Sequence, residues 1–164
     1  MKSLVFILGS NGYLGNALVE KFINENNFVI GLGTSEYPRQ IKQSFIKNSN
    51  FKYFSLKDRN LLSIKSDLKN ICKELGITSI FINSASRGLK SLSDGSFSAQ
   101  LSNIYLSNDS IKIAADIGCS KFINIGSIFE NYIDNFITDS WFKSKYNFEN
   151  QLNYSLAKNI CRDF

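Results

Sequence analysis

The sequence predicts an α/β fold built on a doubly wound parallel sheet, and three observations lead to this prediction. Short apolar runs alternate with stretches of helical periodicity along most of the 164 residues. The first run, Leu4–Leu8, is continuously apolar, which is typical of a strand buried on both faces. Three glycines follow it, and directly after them comes an apolar stripe at helical spacing, formed by Leu14, Leu18 and Phe22.

The turn after the first strand has the spacing G-x-x-G-x-x-G. A strand, a glycine turn and a helix form the layout of a first dinucleotide-binding βα unit. The first glycine allows the tight turn, the second lets the backbone approach a pyrophosphate, and the third lets helix and strand pack closely. The helix N-terminus supplies free N–H groups. The alternative is an ordinary glycine-rich turn. The predicted cofactor-binding residues here are Gly9, Asn11, Gly12, Tyr13, Leu14 and Gly15.

Length and composition indicate one domain with a substantial core, since 43% of the residues are apolar and the mean hydropathy is -0.12. No run approaches the roughly 18 apolar residues of a membrane-spanning helix, so no membrane association is predicted. Only five strongly apolar residues follow the first three residues, too few for a signal peptide. We therefore expect a cytoplasmic protein.

The chain contains no histidine, which excludes Ser-His-Asp triads, Cys-His dyads and most transition-metal sites, so no metal is predicted. Cys72, Cys119 and Cys161 form no C-x-x-C pair and are interpreted as buried, reduced thiols. The formal net charge is +5, but the lysines are dispersed and form no basic stripe. No nucleic-acid partner is therefore predicted.

The second predicted strand, Phe28–Leu32, ends where this type of fold meets the adenosine ribose, and an acidic residue there favours NAD. Gly33 holds that position instead, so no carboxylate repels a 2′-phosphate, and Arg39 can bind one. We predict NAD(P) as cofactor, with NADP(H) slightly favoured. A contact from Glu36 is the alternative, which would favour NAD. The predicted cofactor contacts in this segment are Gly33, Thr34, Ser35 and Arg39.

Further elements alternate along the chain. The pattern predicts a short helix over Ile41–Ile46, a third strand over Phe51–Leu56, a helix from Leu61 to Leu75 that Gly76 ends, and a fourth strand over Ile77–Asn83.

The next segments complete the sheet. Arg87–Ser96 is predicted to be a mobile loop, and Leu101–Ile117 a long helix that Gly118 stops. Lys121–Ile125 is the fifth strand. Ile128–Asn153 is expected to form a loop and the start of a helix around the entrance to the substrate site. Right-handed crossovers then give the strand order 3-2-1-4-5.

The last helix carries Tyr154-Ser-Leu-Ala-Lys158. Residues four apart share a helix face, so the Lys158 ammonium is expected near the Tyr154 phenol. A nearby cation favours the phenolate, which makes Tyr154 a usable general acid or base near neutral pH. The pattern Y-x-x-x-K is not specific by itself. Tyr53–Lys57 also matches it, but on a predicted strand, where four residues span about 13 Å.

Taken in order, these motifs resemble the extended short-chain dehydrogenase/reductase family, over nearly the whole chain. The resemblance implies a Rossmann-type fold and an NAD(P)-dependent oxidoreductase or epimerase acting on a nucleotide-activated sugar, as in polysaccharide biosynthesis. The motifs that carry it are the glycine turn, Asn83-Ser84-Ala85, Asn103, Ser127, Tyr154 and Lys158.

Residue roles follow from this resemblance. Tyr154 would exchange a proton with the substrate oxygen, Lys158 would hold the nicotinamide ribose, and Ser127 would hydrogen-bond the same substrate oxygen. Asn103 would support a relay to Lys158. The alternative is a helix-face tyrosine with a solvated lysine and a capping serine. The resemblance also places Asn83, Ser84 and Ala85 along the nicotinamide half, and Ser55 and Leu56 where the family commonly has an Asp facing adenine.

Two departures from the family pattern matter. Ile128 and Phe129 stand where the sugar dehydratases carry an Asp-Glu pair, which favours a reductase or epimerase. The chain also stops at Phe164, inside the catalytic helix, so residues 1–164 are expected to form an incomplete NAD(P)-binding domain that is inactive alone. We expect apolar surface around Ile123, Ile125 and Leu156. The resemblance implies a homodimer through the fourth and fifth helices.

Two other functions remain open at this point. The chain could be a catalytically silent dinucleotide-binding module with a sensing or interaction role. It could also belong to a reductase of small, non-sugar carbonyl compounds, which would share every motif above.

Overall fold

The structure, a computed structural model, describes residues 2–86, 96–127 and 148–162, with side chains in the last segment from Leu152 onward. Within these segments five strands and five helices alternate, and a turn of 3-10 helix, Leu61–Ile64, precedes the third helix. The strands are β1 (Leu4–Leu8), β2 (Phe28–Gly33), β3 (Phe51–Ser55), β4 (Ser79–Asn83) and β5 (Lys121–Asn124). The helices are α1 (Tyr13–Asn24), α2 (Gln43–Ile46), α3 (Lys65–Leu75), α4 (Phe97–Asp116) and α5 (Phe148–Arg162).

The sheet has the order β3-β2-β1-β4-β5, which confirms the predicted topology. β1 lies at its centre and is completely buried, as its continuous apolar sequence predicted. Leu8 pairs with Leu32 on one side and with Asn83 on the other. Because the strands are parallel, the segments that follow Leu8, Leu32 and Asn83 meet at one edge of the sheet.

The chain divides into two compact units. The first contains residues 1–85 and 109–123 and includes the glycine turn and the strands around it. The second contains residues 86–108 and 124–164 and includes the Tyr154–Lys158 segment.

Helix α1 buries a different face from the predicted one. Its buried residues are Gly15, Val19 and Ile23, one position beyond the predicted stripe of Leu14, Leu18 and Phe22. Leu14 is 43% exposed. The rotation follows from close packing at Gly15, whose ideal Cβ would lie 2.1 Å from the carbonyl oxygen of Gly9. Only a glycine fits there, so that face of the helix turns toward the sheet.

Several element boundaries also differ from the prediction. Helix α4 begins at Phe97 instead of Leu101, whereas α5 begins at Phe148, within the segment Ile128–Asn153 where a helix start was predicted. The predicted helix stops are confirmed, since Gly76 and Gly118 adopt φ of +59° and +80°, a conformation that favours glycine.

Part of two predicted segments falls outside the described residues: 87–95 of the loop predicted over Arg87–Ser96, and 128–147 of Ile128–Asn153. No helix in the described segments is long and apolar enough to cross a bilayer. The same segments contain no group of three side chains suited to hold a metal ion.

The three cysteines are unpaired, but burial is complete only at Cys161. Cys72 and Cys119 are half-buried, so the expectation of three buried thiols is wrong for these two. Burial nevertheless raises the pKa of the Cys119 thiol to about 11, and that of Cys72 also lies above its usual value for the same reason.

Candidate functional site

The glycine turn is held by backbone hydrogen bonds, one to β2 and one within the turn. The Gly9 N–H donates to the Leu32 carbonyl at 2.8 Å, and the Gly12 N–H donates back to the Gly9 carbonyl at 2.9 Å. Gly9 has φ of +84°, a left-handed conformation that side chains rarely adopt. The turn therefore depends on a glycine at its first position.

The second and third glycines meet different surroundings. A Cβ at Gly15 would clash with Gly9 backbone atoms and with the Cα of Ser10, at 2.1 to 2.9 Å. Gly12 is exposed, and the one atom near its ideal Cβ is the Gly9 carbonyl oxygen at 3.2 Å. Gly15 is thus required by helix packing, whereas Gly12 leaves open space in front of the turn, at the N-cap of α1.

The turn after β4 packs directly on the glycine turn. The ideal Cβ of Gly9 would lie 2.8 Å from the backbone nitrogen of Ala85. Asn83 is buried, and its Oδ1 accepts from the Ala85 N–H at 3.2 Å, while Ser84 Oγ donates to the Leu8 carbonyl at 2.7 Å. The structure therefore brings the predicted residues 83–85 together with Gly9, and the side chains of Asn83 and Ser84 support this contact.

A second part of this edge is the Tyr53 corner, which we define as Asn11, Gly33, Ser35, Arg39 and Tyr53. The Tyr53 hydroxyl donates to the Ser35 carbonyl at 2.7 Å and accepts from Asn11 Nδ2 at 2.9 Å. The corner also borders Ser55 and Leu56, because Gly33 pairs with Ser55 in the sheet and its carbonyl accepts from the Leu56 N–H at 2.8 Å. The predicted adenosine-side residues thus lie side by side.

The charges around the corner are mixed. Thr34 and Arg39 are exposed. The Glu36 carboxylate lies 3.4 Å from the Lys57 ammonium in an exposed ion pair. Burial raises the pKa of Tyr53 above its usual value of 10, and the hydrogen bond from Asn11 and the charge of Arg39 offset part of that rise. At neutral pH the corner therefore holds a neutral phenol.

Sequence reasoning missed Tyr53, which it treated only as a chance match to Y-x-x-x-K. A signal was present, because alternate residues of a strand share a face and Tyr53 precedes Ser55 by two positions. The glycines at positions 31 and 33 of β2 were a second signal. Glycine in a strand often marks the close approach of another group, here Ser10 and the Phe51 ring at Gly31 and the Tyr53 hydroxyl at Gly33.

The turn leaves room for a phosphate group in front of α1. Gly12 leaves open a space that a side chain would fill, in front of the unpaired N–H groups of the first turn of α1. Asn11 Oδ1 is a buried acceptor with no hydrogen-bond partner in the described part of the chain. A donor on a bound ligand that satisfied this oxygen would stabilise the complex.

The Tyr154–Lys158 pair lies in the second unit. Tyr154 is buried, and the Lys158 ammonium lies 5.9 Å from the centre of its ring. Lys158 also donates to the carbonyl of Ile125 at 3.2 Å, just after β5. The lysine head group thus lies over the face of the tyrosine ring and is held by a hydrogen bond to the backbone after β5.

Asn103 and Ser127 belong to the same unit. Asn103 is buried on α4, where its Nδ2 donates to Gln100 Oε1 at 3.0 Å and its carbonyl accepts from the Cys161 thiol at 4.0 Å. Ser127 is half-buried, three residues beyond the end of β5. Gln100, which is also buried, was not singled out from the sequence, although its place one helical turn before Asn103 was a usable signal.

Comparison with solved structures reveals the same fold in several enzymes. The Bordetella bronchiseptica enzyme WbmH in complex with NAD+ matches with a TM-score of 0.63 and 13% identity, over 99% of this chain and 52% of WbmH. UDP-N-acetylglucosamine 4-epimerase from Bacillus cereus matches with a TM-score of 0.59 and 18% identity, over 99% of this chain and 47% of the epimerase. UDP-glucose 4-epimerase from Thermotoga maritima with UDP-glucose matches with a TM-score of 0.54 and 16% identity, over 76% of this chain and 38% of that epimerase.

At these identities the likeness shows the fold alone, and the chain spans about half the length of the first of these proteins. No curated protein matches the sequence. The model of the NAD dependent epimerase/dehydratase family, however, matches residues 5–161, which include the glycine turn, β1 to β5 and Tyr154–Lys158. The resemblance stated from the sequence is confirmed, and the chain belongs to the NAD-dependent epimerase/dehydratase family.

Proposed function

We propose that this chain is the cofactor-binding part of an NAD(P)-dependent oxidoreductase or epimerase that acts on a nucleotide-activated sugar, in polysaccharide biosynthesis. The observation that carries the proposal is the glycine turn, in which Gly15 is required by packing while Gly12 leaves space open in front of α1. The nucleotide-sugar substrate is supported by the two UDP-sugar 4-epimerases that share the fold.

The residues of the first unit would hold the cofactor. N–H groups at the start of α1 would bind the pyrophosphate, and Gly12 would let the backbone approach it. Asn83, Ser84 and Ala85 would line the nicotinamide half, next to Gly9. The bound nicotinamide supplies the acceptor and donor of a hydride.

The residues of the second unit would handle the proton. Tyr154 would exchange a proton with the substrate oxygen, and Ser127 would hydrogen-bond that oxygen. Lys158, held by the Ile125 carbonyl, would bind the nicotinamide ribose. Asn103 would complete a relay to Lys158, with Gln100 holding its amide group.

We propose that NADP(H) binds at least as tightly as NAD(H). Gly33 presents no carboxylate to a 2′-phosphate, and the Glu36 carboxylate is engaged with Lys57. Arg39 is exposed beside the corner and can attract the phosphate.

We also propose a cytoplasmic homodimer through α4 and α5. Both helices expose large apolar side chains, among them Phe97, Leu156 and Ile160. Light scattering should give twice the monomer mass, and Leu156→Lys should return a monomer. A monomeric wild-type chain would contradict this assembly.

The proposed function is tested by cofactor binding and by turnover. Titration of the 164-residue chain with NADPH and NADH, followed by fluorescence, should show one site per chain. Substrate turnover is measured with a panel of UDP-sugars in the full gene product, and Tyr154→Phe should lower it at least about a thousandfold. Tyr105→Phe, which removes the hydroxyl of an exposed tyrosine, is the matched control.

The rival functions give other results in the same assays. A silent dinucleotide-binding module would bind cofactor in the full gene product without turning over any UDP-sugar or carbonyl compound. A reductase of small carbonyl compounds would oxidise NADPH with those compounds and ignore UDP-sugars.

A further inference from the structure

The hydroxyl of Tyr53 occupies the space beside Gly33. The ideal Cβ at position 33 would lie 2.9 Å from Tyr53 Oη and 3.3 Å from Asn11 Nδ2. Real Cβ atoms do not approach a neighbour at the first of these distances, so any side chain at position 33 must displace the hydroxyl. Tyr53 therefore fills the place from which an acidic side chain at the end of β2 would extend.

The same hydroxyl joins two segments that are distant in sequence. It holds the Ser35 carbonyl, beyond β2, and it accepts from the amide of Asn11 in the glycine turn. The Asn11 amide also donates to the Tyr37 carbonyl at 3.4 Å. One phenol therefore links the turn to the segment that follows β2, and one lone pair of its oxygen is left over.

The corner also lacks the negative charge that selects NAD. Its phenol is neutral at physiological pH, and the first carboxylate after β2 in the sequence, that of Glu36, forms an exposed ion pair with Lys57. Arg39 is close enough for its charge to act on Tyr53. A neutral hydroxyl and a cation stand where a carboxylate would repel a 2′-phosphate.

We propose that Tyr53 is a specificity-determining residue for the adenosine half of the cofactor: it takes the place of the acidic residue after β2 and holds Asn11 and the Ser35 carbonyl in position. This inference rests on the proposed function. It follows that an acid at position 33 has to shift the Tyr53 hydroxyl, and so disturb its hydrogen bonds to Asn11 and Ser35, before it can act as an NAD-selective carboxylate.

The test uses 2′,5′-ADP and 5′-AMP, which present the adenosine end with and without the 2′-phosphate. Their affinities are measured by calorimetry for the wild-type chain, Tyr53→Phe, Gly33→Asp and the double variant. Tyr53→Phe should weaken both probes about fivefold, because Asn11 and the segment after β2 lose their shared partner. Gly33→Asp should weaken the binding of both probes, and the ratio of the two affinities should change by less than about threefold.

The double variant carries the decisive result. Without the hydroxyl, the new carboxylate has room and can accept from the Asn11 amide. Affinity for 5′-AMP should recover to within about threefold of the Tyr53→Phe value, while 2′,5′-ADP should bind at least about tenfold more weakly through charge repulsion. Tyr105→Phe should change neither probe.

Each opposite result overturns the inference. Suppose that Gly33→Asp alone reversed the preference between 2′,5′-ADP and 5′-AMP and kept the wild-type affinity for 5′-AMP. Tyr53 would then not control that position. If Tyr53→Phe behaved like Tyr105→Phe, its hydroxyl would have no part in binding. If the wild-type chain bound neither probe, the proposed function would fail at its cofactor site, which is a distinguishable outcome.

A second measurement needs no ligand. The side-chain amide of Asn11 should give separate, well-dispersed NMR signals in the wild-type chain, and these should move in Tyr53→Phe and stay unchanged in Tyr105→Phe. Unmoved signals would show that the hydrogen bond from Asn11 to Tyr53 is not formed in solution and would overturn the positioning role.

Discussion

The glycine turn and the Tyr53 corner lie at the same edge of one sheet, but they are organised in different ways. The turn is closed mainly by its own backbone, through the Gly12 to Gly9 hydrogen bond and the contact between Gly9 and Gly15. The corner is assembled by side chains from three segments, and Asn11 and Tyr53 are 42 residues apart. Substitutions in the turn should therefore damage the fold or the phosphate site. Substitutions in the corner should instead change affinity for the adenosine end of the cofactor, and selectivity where they alter its charge.

The largest effect that this comparison predicts is on stability, at Gly15. A Cβ there would lie 2.1 Å from a backbone oxygen, which cannot move without opening the turn. Gly15→Ala should lower the free energy of unfolding by at least about 3 kcal/mol, measured by urea denaturation.

Gly12→Ala is the matched control for Gly15. Its Cβ would lie 3.2 Å from the same oxygen, in exposed surroundings. The substitution should lower the free energy of unfolding by less than about 1 kcal/mol. Equal losses in the two alanine variants would show that packing at Gly15 does not set the position of α1.

The next effect separates binding from stability within the turn itself. Gly12→Val places a branched side chain in the open space before α1, so affinity for NADPH should fall at least about thirtyfold, by fluorescence titration. Gly76→Asn provides the control, since nothing lies within 4 Å of its Cβ and asparagine accepts its φ of +59°. Unaltered binding by Gly12→Val would place the phosphate site elsewhere.

The same contrast explains how much could be predicted from the sequence. The buried strand β1, the glycine turn and the strand order follow from residues close together in the chain, and the structure reproduces them. The rotation of α1 was missed because Leu14, Leu18 and Phe22 also form an apolar stripe, and only the fit of Gly15 against Gly9 selects between the faces. The position of the third glycine, Gly15, indicated which face of α1 packs on the sheet.

The Tyr53 corner could not be predicted in the same way. Its hydrogen bonds require β2 and β3 to be paired in register first, and no local pattern states which side chain covers Gly33. The roles of Ser127, Asn103 and Tyr154 also come from family resemblance, since the spacing Y-x-x-x-K occurs twice in this chain. Local backbone geometry was predictable, whereas contacts between distant side chains were not.

A smaller effect tests the charge of the corner. Arg39→Gln should weaken 2′,5′-ADP about five- to tenfold at low salt and leave 5′-AMP within about twofold, because only the former carries the 2′-phosphate. The difference should shrink in high salt, since Arg39 is exposed. Lys73→Gln removes an equal charge from α3 and is the control. Equal weakening of both probes would assign Arg39 to a part of the cofactor that they share.

The smallest effect is a pH dependence of stability that belongs to the corner alone. Burial raises the pKa of Tyr53 in the folded chain above its usual value of 10, so folding favours the neutral phenol. The stabilisation is fully present below that usual value and is lost as the pH rises through the folded-state pKa. The stability difference between the wild-type chain and Tyr53→Phe should therefore be constant near neutral pH and shift against the wild type above pH 10, measured by urea denaturation at each pH.

Other titrating groups are common to both proteins and cancel in this difference. Because Tyr53 is only half-buried, solvent screening keeps the effect below those predicted for the glycines. A difference that stayed constant, or moved in favour of the wild type, would mean that the phenol ionises at least as readily in the folded chain as in the unfolded one, and that the corner does not hold it away from water.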